Sequence, residues 1–354
     1  MINIKNEFLA AGIMSGTSMD GLDISYAKYY YKSNKWYFDL LHAETFKYDD
    51  SVKLDFISAF KRESIIYDVD VKFSHLIADY VLCFLKKYNL KPDLIASHGH
   101  TIFHQPHKKK TKQIGLGNII FDRVNIPVVS NFRLQDIELG GQGAPLVPIG
   151  DQLLFSDYDS CVNFGGIVNI SYNVAGKRIA YDICPCNMIL NYLSQKNNRE
   201  FDYKGHLASK GIVNIALLNE LNRVDYYNIA NPKSLGKEYV ENVFLRIIKT
   251  YNIDAQDLLS TFTEHIAIQI ANVFKKCKVK NAFLSGGGVF NDYLITRIKY
   301  YTEVEIVIPS DDIINFKESI VFGFLGVLRV LNKNNCLASS TGAIKDHSSG
   351  EIYR

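Results

Sequence analysis

Three glycine-rich turns lie far apart in the 354-residue chain, and each follows an apolar, strand-like run. They occupy residues 12–21 (GIMSGTSMDG), 163–170 (NFGGIVNI) and 284–291 (LSGGGVFN). Because glycine has no side chain, such turns expose backbone N–H groups that can bind an anion, and phosphate is the usual anion. Any one of them alone reads equally well as a structural tight turn. Three in one chain indicate a nucleotide held between two lobes.

Bulk composition narrows the functional classes. The chain is long enough for two domains with full cores, and its net charge of +3 is too small to predict a nucleic-acid partner. The sequence has no signal-peptide pattern and no membrane-length apolar run, so we expect a cytoplasmic protein without a membrane partner. Six scattered cysteines without a C-x-x-C pair agree with a reducing compartment. The basic run at 108–112 reads as a solvated loop tip rather than a phosphate-steering patch.

Hydrophobic periodicity predicts the elements that position the glycine turns. Residues 7–13 and 22–31 read as strands, so the first turn closes a β-hairpin, and residues 161–171 repeat the order strand, glycine turn, strand. Residues 283–293 read as strand, glycines and helix. Further helices are predicted at 71–88, 237–250, 256–277 and 317–330. A P-loop is excluded because no GxxxxGK[ST] run occurs, and a Rossmann fingerprint because the first glycine turn leads into a strand.

The repeated hairpin predicts a duplicated architecture of two α/β lobes that close on a cleft. We expect the two hairpins, 12–31 and 161–173, to face each other across it. The N-terminal lobe is placed at residues 1–128 with a C-terminal return at 335–354, and the C-terminal lobe at 129–334.

Motifs along the chain identify a family. The segment 12–23 (GIMSGTSMDGLD) resembles the signature of the anhydro-N-acetylmuramic acid kinases, and the likeness continues in the same order to the C-terminal part of the chain. The further matching segments are 97–99, 113–115, 140–148 (GGQGAPLVP), 163–167, 232–234, 286–288, Glu318 and 341–343. The resemblance therefore covers nearly the whole chain with a specific set of motifs.

The resemblance implies the two-lobed, actin-like (ribonuclease H-like) ATPase fold with an interlobe cleft. Members of the family use ATP and Mg²⁺ to phosphorylate 1,6-anhydro-N-acetylmuramic acid. They open the anhydro ring with water in the same reaction and so form N-acetylmuramic acid 6-phosphate. The role implied is peptidoglycan recycling in the bacterial cytoplasm by an enzyme that is typically a homodimer.

The nucleotide site is expected at the three glycine turns. Its residues are Ser15, Gly16, Thr17, Ser18, Asp20, Gly21, Asp23, Gly165, Gly166, Gly286, Gly287 and Gly288. Thr17 and Ser18 offer hydroxyl and backbone donors to phosphate. Asp20, which is nearer the turn than Asp23, is the better candidate to hold Mg²⁺ directly or through water. The alternative for these carboxylates is an Asx-turn that stabilises the hairpin.

Asp182 is the candidate general base. The family reads Asp-Thr-Gly-Pro-Gly-Asn where this chain has Asp182–Asn187 (DICPCN), and a carboxylate beside the anomeric carbon would take a proton from the attacking water. From the residues alone, a strand-end carboxylate that caps the next helix is equally good; the resemblance favours the base.

The departures in this segment are Ile183, Cys184 and Cys186. If the glycines of the family need positive φ, each cysteine strains the turn by about 1–3 kcal/mol. If the glycines leave space for the sugar, the thiols narrow the pocket. Two alternative functions follow: a related kinase for another amino sugar, and an ATP-binding regulator with weakened catalysis.

Sugar-binding residues are implied at His98, Thr101, Arg133, Asn187 and Glu318. The Arg133 guanidinium can fork onto the lactyl carboxylate of a muramic sugar, and its alternative is a surface ion pair. The family has Asp where this chain has Asn131, and the lost charge is expected to leave Arg133 less well oriented.

Glu318 is predicted to open the last long helix. There its carboxylate would hydrogen-bond the sugar. The alternative is that its negative charge interacts favourably with the dipole at the helix N-terminus.

Four histidines, at 98, 100, 104 and 107, lie within ten residues. A transition-metal site is one reading of the cluster. A sugar-facing strand end that includes Thr101 is the preferred one.

Overall fold

The computed structural model describes residues 7–16, 19–105, 110–231 and 233–354, with the side chains of Gln105 and Lys110 left aside. The chain divides into two compact units, Met1–Leu154 with Phe316–Arg354, and Phe155–Asn315. The boundaries predicted from the sequence, at 128/129 and 334/335, cut through contacts within the first unit. These include the strand pairing of Ala96 with Val129 and the hydrogen bond from the Cys336 thiol to the Asp136 Oδ1 (3.1 Å).

The described strands adjoin the glycine turns where the sequence predicts them. In chain order they are β1 (Glu7–Ser15), β2 (Gly21–Lys32), β3 (Lys35–Lys47), β4 (Leu94–Ser97), β5 (His100–Gln105), β6 (Lys110–Ile114), β7 (Val128–Ser130), β8 (Ser160–Phe164), β9 (Ile167–Val174), β10 (Lys177–Pro185), β11 (Asn281–Ser285), β12 (Glu305–Val307) and β13 (Glu351–Tyr353). The hairpins β1–β2 and β8–β9 confirm the two predicted ones.

The helices follow the predicted periodic segments and add several that the sequence did not indicate. They are α1 (Asp50–Lys61), α2 (Ile66–Tyr88), α3 (Gly117–Val124), α4 (Leu134–Glu138), α5 (Pro148–Leu154), α6 (Asn187–Gln195), α7 (Ile215–Asn222), α8 (Lys237–Tyr239), α9 (Arg246–Lys249), α10 (Ala255–Cys277), α11 (Asp292–Tyr301), α12 (Asp311–Val330) and α13 (Ala338–Thr341). A π-helical turn (Val240–Leu245) joins α8 to α9. Within the described ranges, no helix combines the length and the apolar character needed to cross a bilayer.

The two units share one strand topology. The sheet of the first unit has the order β13-β7-β4-β1-β2-β3, and that of the second has the order β10-β9-β8-β11-β12. In both, three consecutive strands form an antiparallel meander, and the first of them pairs in parallel with a later strand, which pairs in parallel with the next. This repeated order confirms the predicted duplication and the ribonuclease H-like fold class. How the two hairpins face each other stays a prediction.

Helix ends obey local capping rules. The Asp49 side chain accepts a hydrogen bond from the Val52 N–H (3.0 Å) at the start of α1, and the Asn291 side chain accepts one from the Leu294 N–H (2.9 Å) at the start of α11. The helix α2 ends at Asn89, whose φ of 52° is left-handed. Side-chain oxygens and asparagine therefore set these boundaries.

Glycine permits one unusually close contact in the first unit. A β-carbon at Gly12 on β1 would lie 1.8 Å from the Ser319 carbonyl oxygen and 2.6 Å from the Gly323 nitrogen on α12. The strand backbone thus lies directly against the helix backbone. The Tyr29 hydroxyl on β2 adds a hydrogen bond of 2.6 Å to the Ile320 carbonyl of the same helix.

The start of α12 corrects one prediction. The helix begins at Asp311, not at residue 317, so Glu318 lies in its interior and does not open it. The macrodipole alternative for Glu318 is therefore wrong, because that effect is confined to the first turn.

Candidate active site

The end of β1, just before the first glycine turn, is held by a buried side-chain network. The Tyr48 hydroxyl donates to the Ser15 Oγ (2.8 Å), which in turn lies 3.0 Å from the His100 Nδ1. The His100 ring stacks on Phe56 at a centroid distance of 4.2 Å, and burial lowers its pKa to about 4. A neutral ring can accept the Ser15 proton, so this serine hydroxyl is engaged within the unit. The predicted contacts of Thr17 and Ser18 lie outside the described residues.

Two carboxylates follow this turn. Asp20 is exposed, and Asp23 is half-buried and accepts a hydrogen bond from the Thr45 hydroxyl (2.6 Å). Burial raises the pKa of Asp23, the Thr45 bond lowers it, and the charge of Asp20 raises it further. The two acids are thus close enough to interact. Gly21 has a packing role between them, since a β-carbon there would lie 2.6 Å from the Phe46 carbonyl oxygen.

Arg133 is fixed by two hydrogen bonds within the first unit. Its Nε donates to the His98 Nε2 (3.0 Å), and its Nη1 donates to the Gly143 carbonyl (3.2 Å). The His98 Nδ1 lies 3.0 Å from the Gly99 carbonyl, so this nitrogen carries the ring proton and Nε2 is the acceptor. Burial, then the charge of Arg133, holds the pKa of His98 well below its usual value. His98 therefore positions Arg133.

The guanidinium of Arg133 keeps binding capacity. Its Nη2 has no hydrogen-bond partner among the described residues. Burial lowers its pKa to about 10, which leaves it cationic at neutral pH. Asn131 donates to Glu351 (3.0 Å) and has a left-handed φ of 58°. Its expected effect on the orientation of Arg133 stays a prediction.

Glu318 lies near the same charges. Its side chain is accessible to solvent. Desolvation by the surrounding protein raises the pKa of its carboxyl. The positive charges of Lys317 and Arg133 lower this pKa, and the negative charge of Asp23 raises it. The fold of the first unit thus brings Asp23, Arg133 and Glu318 within range of one another's charges, although they are far apart in the sequence.

The remaining predicted residues of this region have separate partners. The Thr101 hydroxyl accepts from the Gln113 side chain (3.4 Å). His104 is exposed, and its Nδ1 lies 3.4 Å from the Thr111 hydroxyl. His107 lies outside the described residues. Thr101 and His104 therefore belong to the β5–β6 hairpin, and within the described part of the chain neither makes a hydrogen bond to Arg133.

The two glycine turns of the second unit pack against each other. They follow the adjacent parallel strands β8 and β11, in which Ser285 pairs with Asn163. A β-carbon at Gly286, which has a φ of 84°, would lie 2.6 Å from the Asn163 Oδ1, and one at Gly288 would lie 2.9 Å from the Phe164 Cβ. A β-carbon at Gly287 would meet no described atom within 4 Å. Gly286 and Gly288 are thus required by packing, whereas Gly287 borders open space.

The first turn of α6 secures the Gly165-Gly166 turn. The Asn187 N–H donates to the Gly165 carbonyl, and the Met188 N–H donates to the Gly166 carbonyl, both at 3.2 Å. The Asn187 side chain donates to the Phe164 carbonyl (3.3 Å). Asn187 therefore acts first as a brace of the glycine turn.

Asp182 stands at a bulge in β10 and is held by its surroundings. Its Oδ2 accepts the Leu235 N–H (2.8 Å), and its carbonyl accepts the Tyr226 hydroxyl (2.6 Å). Its Oδ1 accepts no hydrogen bond from any described residue. Burial raises the pKa of the carboxyl to about 6, although the Leu235 bond lowers it. A fixed carboxylate with one open oxygen and a pKa just below neutrality can act as a general base.

Sequence reasoning missed the residues that support Asp182. The Lys233 carbonyl accepts the Asp182 N–H (3.1 Å), while the Lys233 Nζ donates to the Tyr226 carbonyl (2.8 Å) and lies 4.3 Å from the Tyr226 ring centroid. The family segment 232–234 was the available signal for this support, and Pro232 lies outside the described residues.

Both predictions for the cysteines of this segment are wrong. Cys184 and Cys186 are absent from the described residues with positive φ, and Cys186 has a φ of −137°, so no left-handed strain arises. Their side chains are fully buried in the apolar core of the second unit, with Phe164 and Ile189 among its members. The thiols fill the core and do not narrow a pocket.

Comparisons with known proteins identify the family of this chain. A profile described as anhydro-N-acetylmuramic acid kinase matches residues 8–354. Relatives that carry this same name come from Caldanaerobacter subterraneus (32% identical, 96% of this chain and 95% of the relative), Clostridioides difficile (33%, 94% and 95%) and Vibrio cholerae (32%, 98% and 98%).

Among solved structures, a ROK family glucokinase from Streptomyces griseus in complex with glucose and AMPPNP aligns with a TM-score of 0.43 and 10% identity, over 90% of this chain and 98% of that one. The fold assignment rests instead on the strand order described above. The profile match and the curated relatives both extend over nearly the full chain, and the chain belongs to the anhydro-N-acetylmuramic acid kinase family.

Proposed function

We propose that this protein phosphorylates 1,6-anhydro-N-acetylmuramic acid with ATP and opens the anhydro ring with water, forming N-acetylmuramic acid 6-phosphate for cell-wall recycling. The observation that carries the proposal is the state of Asp182: one carboxylate oxygen is fixed by a backbone N–H, the other accepts no bond from a described residue, and the pKa is raised to about 6. Such a group is deprotonated at neutral pH and still basic enough to take a proton.

The reaction requires one proton acceptor. As the oxygen of water bonds to C1, the C1–O6 bond breaks, and O6 bonds to the γ-phosphorus as the bond from that phosphorus to ADP breaks. The water proton passes to the Oδ1 of Asp182. The carboxylate needs a fixed orientation during this transfer, which the Leu235 N–H supplies, while the Tyr226 hydroxyl holds the backbone carbonyl of Asp182.

The nucleotide contacts are proposed at the glycine turns. A β-carbon at Gly287 would meet no described atom within 4 Å, and one at Gly165 would meet none closer than 3.5 Å. Both turns therefore leave room for a phosphate to approach the backbone. In the first unit, the exposed Asp20 with its neighbour Asp23 fits Mg²⁺, which prefers carboxylate oxygens and retained water. When bound, the ion would neutralise charge on the transferred phosphoryl group.

The sugar contacts are proposed at Arg133 and Glu318. The Nη2 of Arg133, for which the described ranges offer no hydrogen-bond partner, and the accessible carboxyl of Glu318 lie among the same interacting charges. A guanidinium is suited to the lactyl carboxylate that distinguishes muramic acid from other amino sugars. Because Cys184 and Cys186 lie in the core, they give no reason to assign a different sugar. We further propose that the enzyme acts as a homodimer, as the family resemblance implies.

The decisive experiment measures ADP release and the fate of water oxygen. In heavy-oxygen water, the enzyme should release ADP only with the anhydro sugar, and the product should carry the label at C1. N-acetylmuramic acid, which lacks the bridge, should give little release. Unlabelled product, or equal activity on the open sugar, would contradict the ring-opening reaction.

The matched variants are Asp182→Asn and Asp225→Asn, of which the second changes an exposed carboxylate in the same unit. Asp182→Asn should lower turnover by about 10²–10⁴-fold, the usual contribution of a general base, while ATP and sugar still bind. Asp225→Asn should behave as the parent. Normal turnover in Asp182→Asn would remove the base assignment.

A further inference from the structure

Three potential metal ligands meet in the interior of the first unit. Asp136 on α4, Cys336 after α12 and His347 near the C-terminus have exposed fractions of 0%, 0% and 4%. Cys336 and His347 pair with each other as an isolated antiparallel bridge, which brings both side chains to Asp136. One ligand atom from each residue lies within 4.8 Å of the other two.

We propose that Asp136, Cys336 and His347 bind a zinc ion that fastens the C-terminal segment to α4. The site uses none of the residues assigned to the reaction.

The distances fit a zinc ion with little movement. The Asp136 Oδ1 lies 3.1 Å from the Cys336 Sγ and 3.5 Å from the His347 Nε2. Zinc bonds to sulfur of about 2.3 Å and to nitrogen or oxygen of about 2.0–2.2 Å place tetrahedral ligands roughly 3.2–3.7 Å apart. The Thr341 hydroxyl, 2.7 Å from the same Oδ1, lies beside the remaining coordination position, which it or a water can fill.

His347 provides independent support. Its Nδ1 lies 3.1 Å from the Lys345 carbonyl, an acceptor, so this nitrogen carries a proton. Its Nε2 is buried and has no hydrogen-bond partner among the described residues, yet it points toward a carboxylate oxygen. A lone pair that faces a carboxylate is repelled by it unless a metal ion or a proton lies between them. The arrangement of ring nitrogens, one on a backbone carbonyl and one on the metal, is the usual one for a zinc-bound histidine.

The ligand types select the metal. Thiolate, imidazole and carboxylate together suit zinc, whereas Mg²⁺ and Ca²⁺ prefer oxygen ligands alone. Without metal, the Cys336 thiol donates its proton to Asp136 in a hydrogen bond. When zinc binds, the sulfur bonds to the ion and this proton is released to solvent.

The position of Asp136 gives the ion a structural role. The Asp136 Oδ2 accepts the Gly143 N–H (2.6 Å), and the Gln142 N–H donates to the Thr341 carbonyl (2.9 Å). A metal at Asp136 would therefore hold together α4, the glycine-rich loop that follows it and the C-terminal segment.

The test uses the full chain and does not depend on kinase activity. Protein purified without chelator should contain one zinc per chain. After chelation, added Co²⁺ should give a thiolate-to-cobalt charge-transfer band at one equivalent, excess Mg²⁺ should leave this band unchanged, and Zn²⁺ should remove it. Zn²⁺ should also raise the unfolding temperature of the chelated parent.

The variants are Cys336→Ser and His347→Gln, with Cys161→Ser as the control at another buried cysteine. Loss of an outer-shell partner costs about 10–100-fold in metal affinity, so loss of a direct ligand should cost at least that much. The control should keep the band and the thermal shift.

The competing explanation is a metal-free cluster in which a protonated His347 pairs with Asp136. In that case the parent shows no stoichiometric metal, no cobalt band and no zinc-dependent thermal shift, and the proposal is overturned. A band that persists in both Cys336→Ser and His347→Gln would place the metal elsewhere and overturn it equally. The measurements on the parent protein can overturn the proposal without any variant, so a misfolded variant cannot leave it untested.

Discussion

The two units have the same strand order but equip it with different chemistry. In the first, the end of β1 is held by side chains, and the accessible charges of Arg133 and Glu318 lie near Asp23. In the second, the turn after β8 is held by backbone N–H groups of α6, and Asp182 is a single half-buried carboxylate. A duplicated scaffold thus carries charged binding groups in one copy and a proton acceptor in the other.

The largest expected effect concerns stability of the second unit. Cys184→Gly/Cys186→Gly removes two fully buried side chains and adds chain flexibility. We expect the free energy of unfolding to fall by roughly 2–4 kcal/mol, measured by urea denaturation. Cys83→Ala, at an exposed cysteine of the first unit, is the control. A double-glycine variant of parental stability that bound the sugar more tightly would show that the thiols face the pocket after all.

The next effect tests the binding role of the first unit. Arg133→Met should raise the KM for the anhydro sugar by about 10–150-fold, the equivalent of a hydrogen bond between charged groups. An anhydro amino sugar without the lactyl group should lose nothing, because it has no carboxylate to bind. Arg123→Met, at an exposed arginine paired with Asp79, serves as control. Equal losses for both sugars would assign Arg133 a structural role.

Two neighbouring glycines separate packing from binding in the second unit. Gly286→Ala forces a side chain onto a residue with a φ of 84° and should destabilise the unit by about 1–3 kcal/mol. Gly287→Ala should leave stability unchanged and weaken ATP binding, because its β-carbon enters the proposed phosphate space. Calorimetric titration with ATP and thermal unfolding of both variants give the comparison. Normal ATP affinity in Gly287→Ala would place the phosphates elsewhere.

The smallest expected effect is a dependence of turnover on pH, which should arise from the second unit alone. The raised pKa of Asp182 means that the base is protonated as the pH falls below about 6. Turnover should then decrease tenfold per pH unit, while sugar affinity stays nearly constant across the same range. Steady-state kinetics beside equilibrium binding would detect this. A parallel fall in affinity would indicate that a group of the first unit titrates instead.

Much of the fold was predictable because it rests on local patterns. The glycine turns and alternating apolar runs predicted both hairpins. The spacing of Phe73, Ile77, Tyr80, Val81 and Phe84 predicted the apolar face of α2, of which all but the half-buried Tyr80 are buried. The start of α12 was missed, although the acids Asp311 and Asp312 are suited to the first turn of a helix.

The candidate site was predictable by residue type but not by arrangement. Motifs identified Asp182 and Arg133, yet their hydrogen-bond partners Leu235, Tyr226 and His98 depend on contacts between distant segments. The cysteines were misjudged for the same reason: the sequence alone does not tell whether a residue between a strand and a helix points to the core or to a ligand.

The contact between Gly12 and α12 has a consequence for motion. With no side chain between strand and helix, there is no rotamer whose rearrangement could let one slide past the other. Strand and helix are therefore expected to fluctuate as one body, and their amides to exchange with solvent only when the whole unit opens. Because Glu318 lies on that helix, its backbone is expected to stay at a fixed position relative to β1 until the unit unfolds.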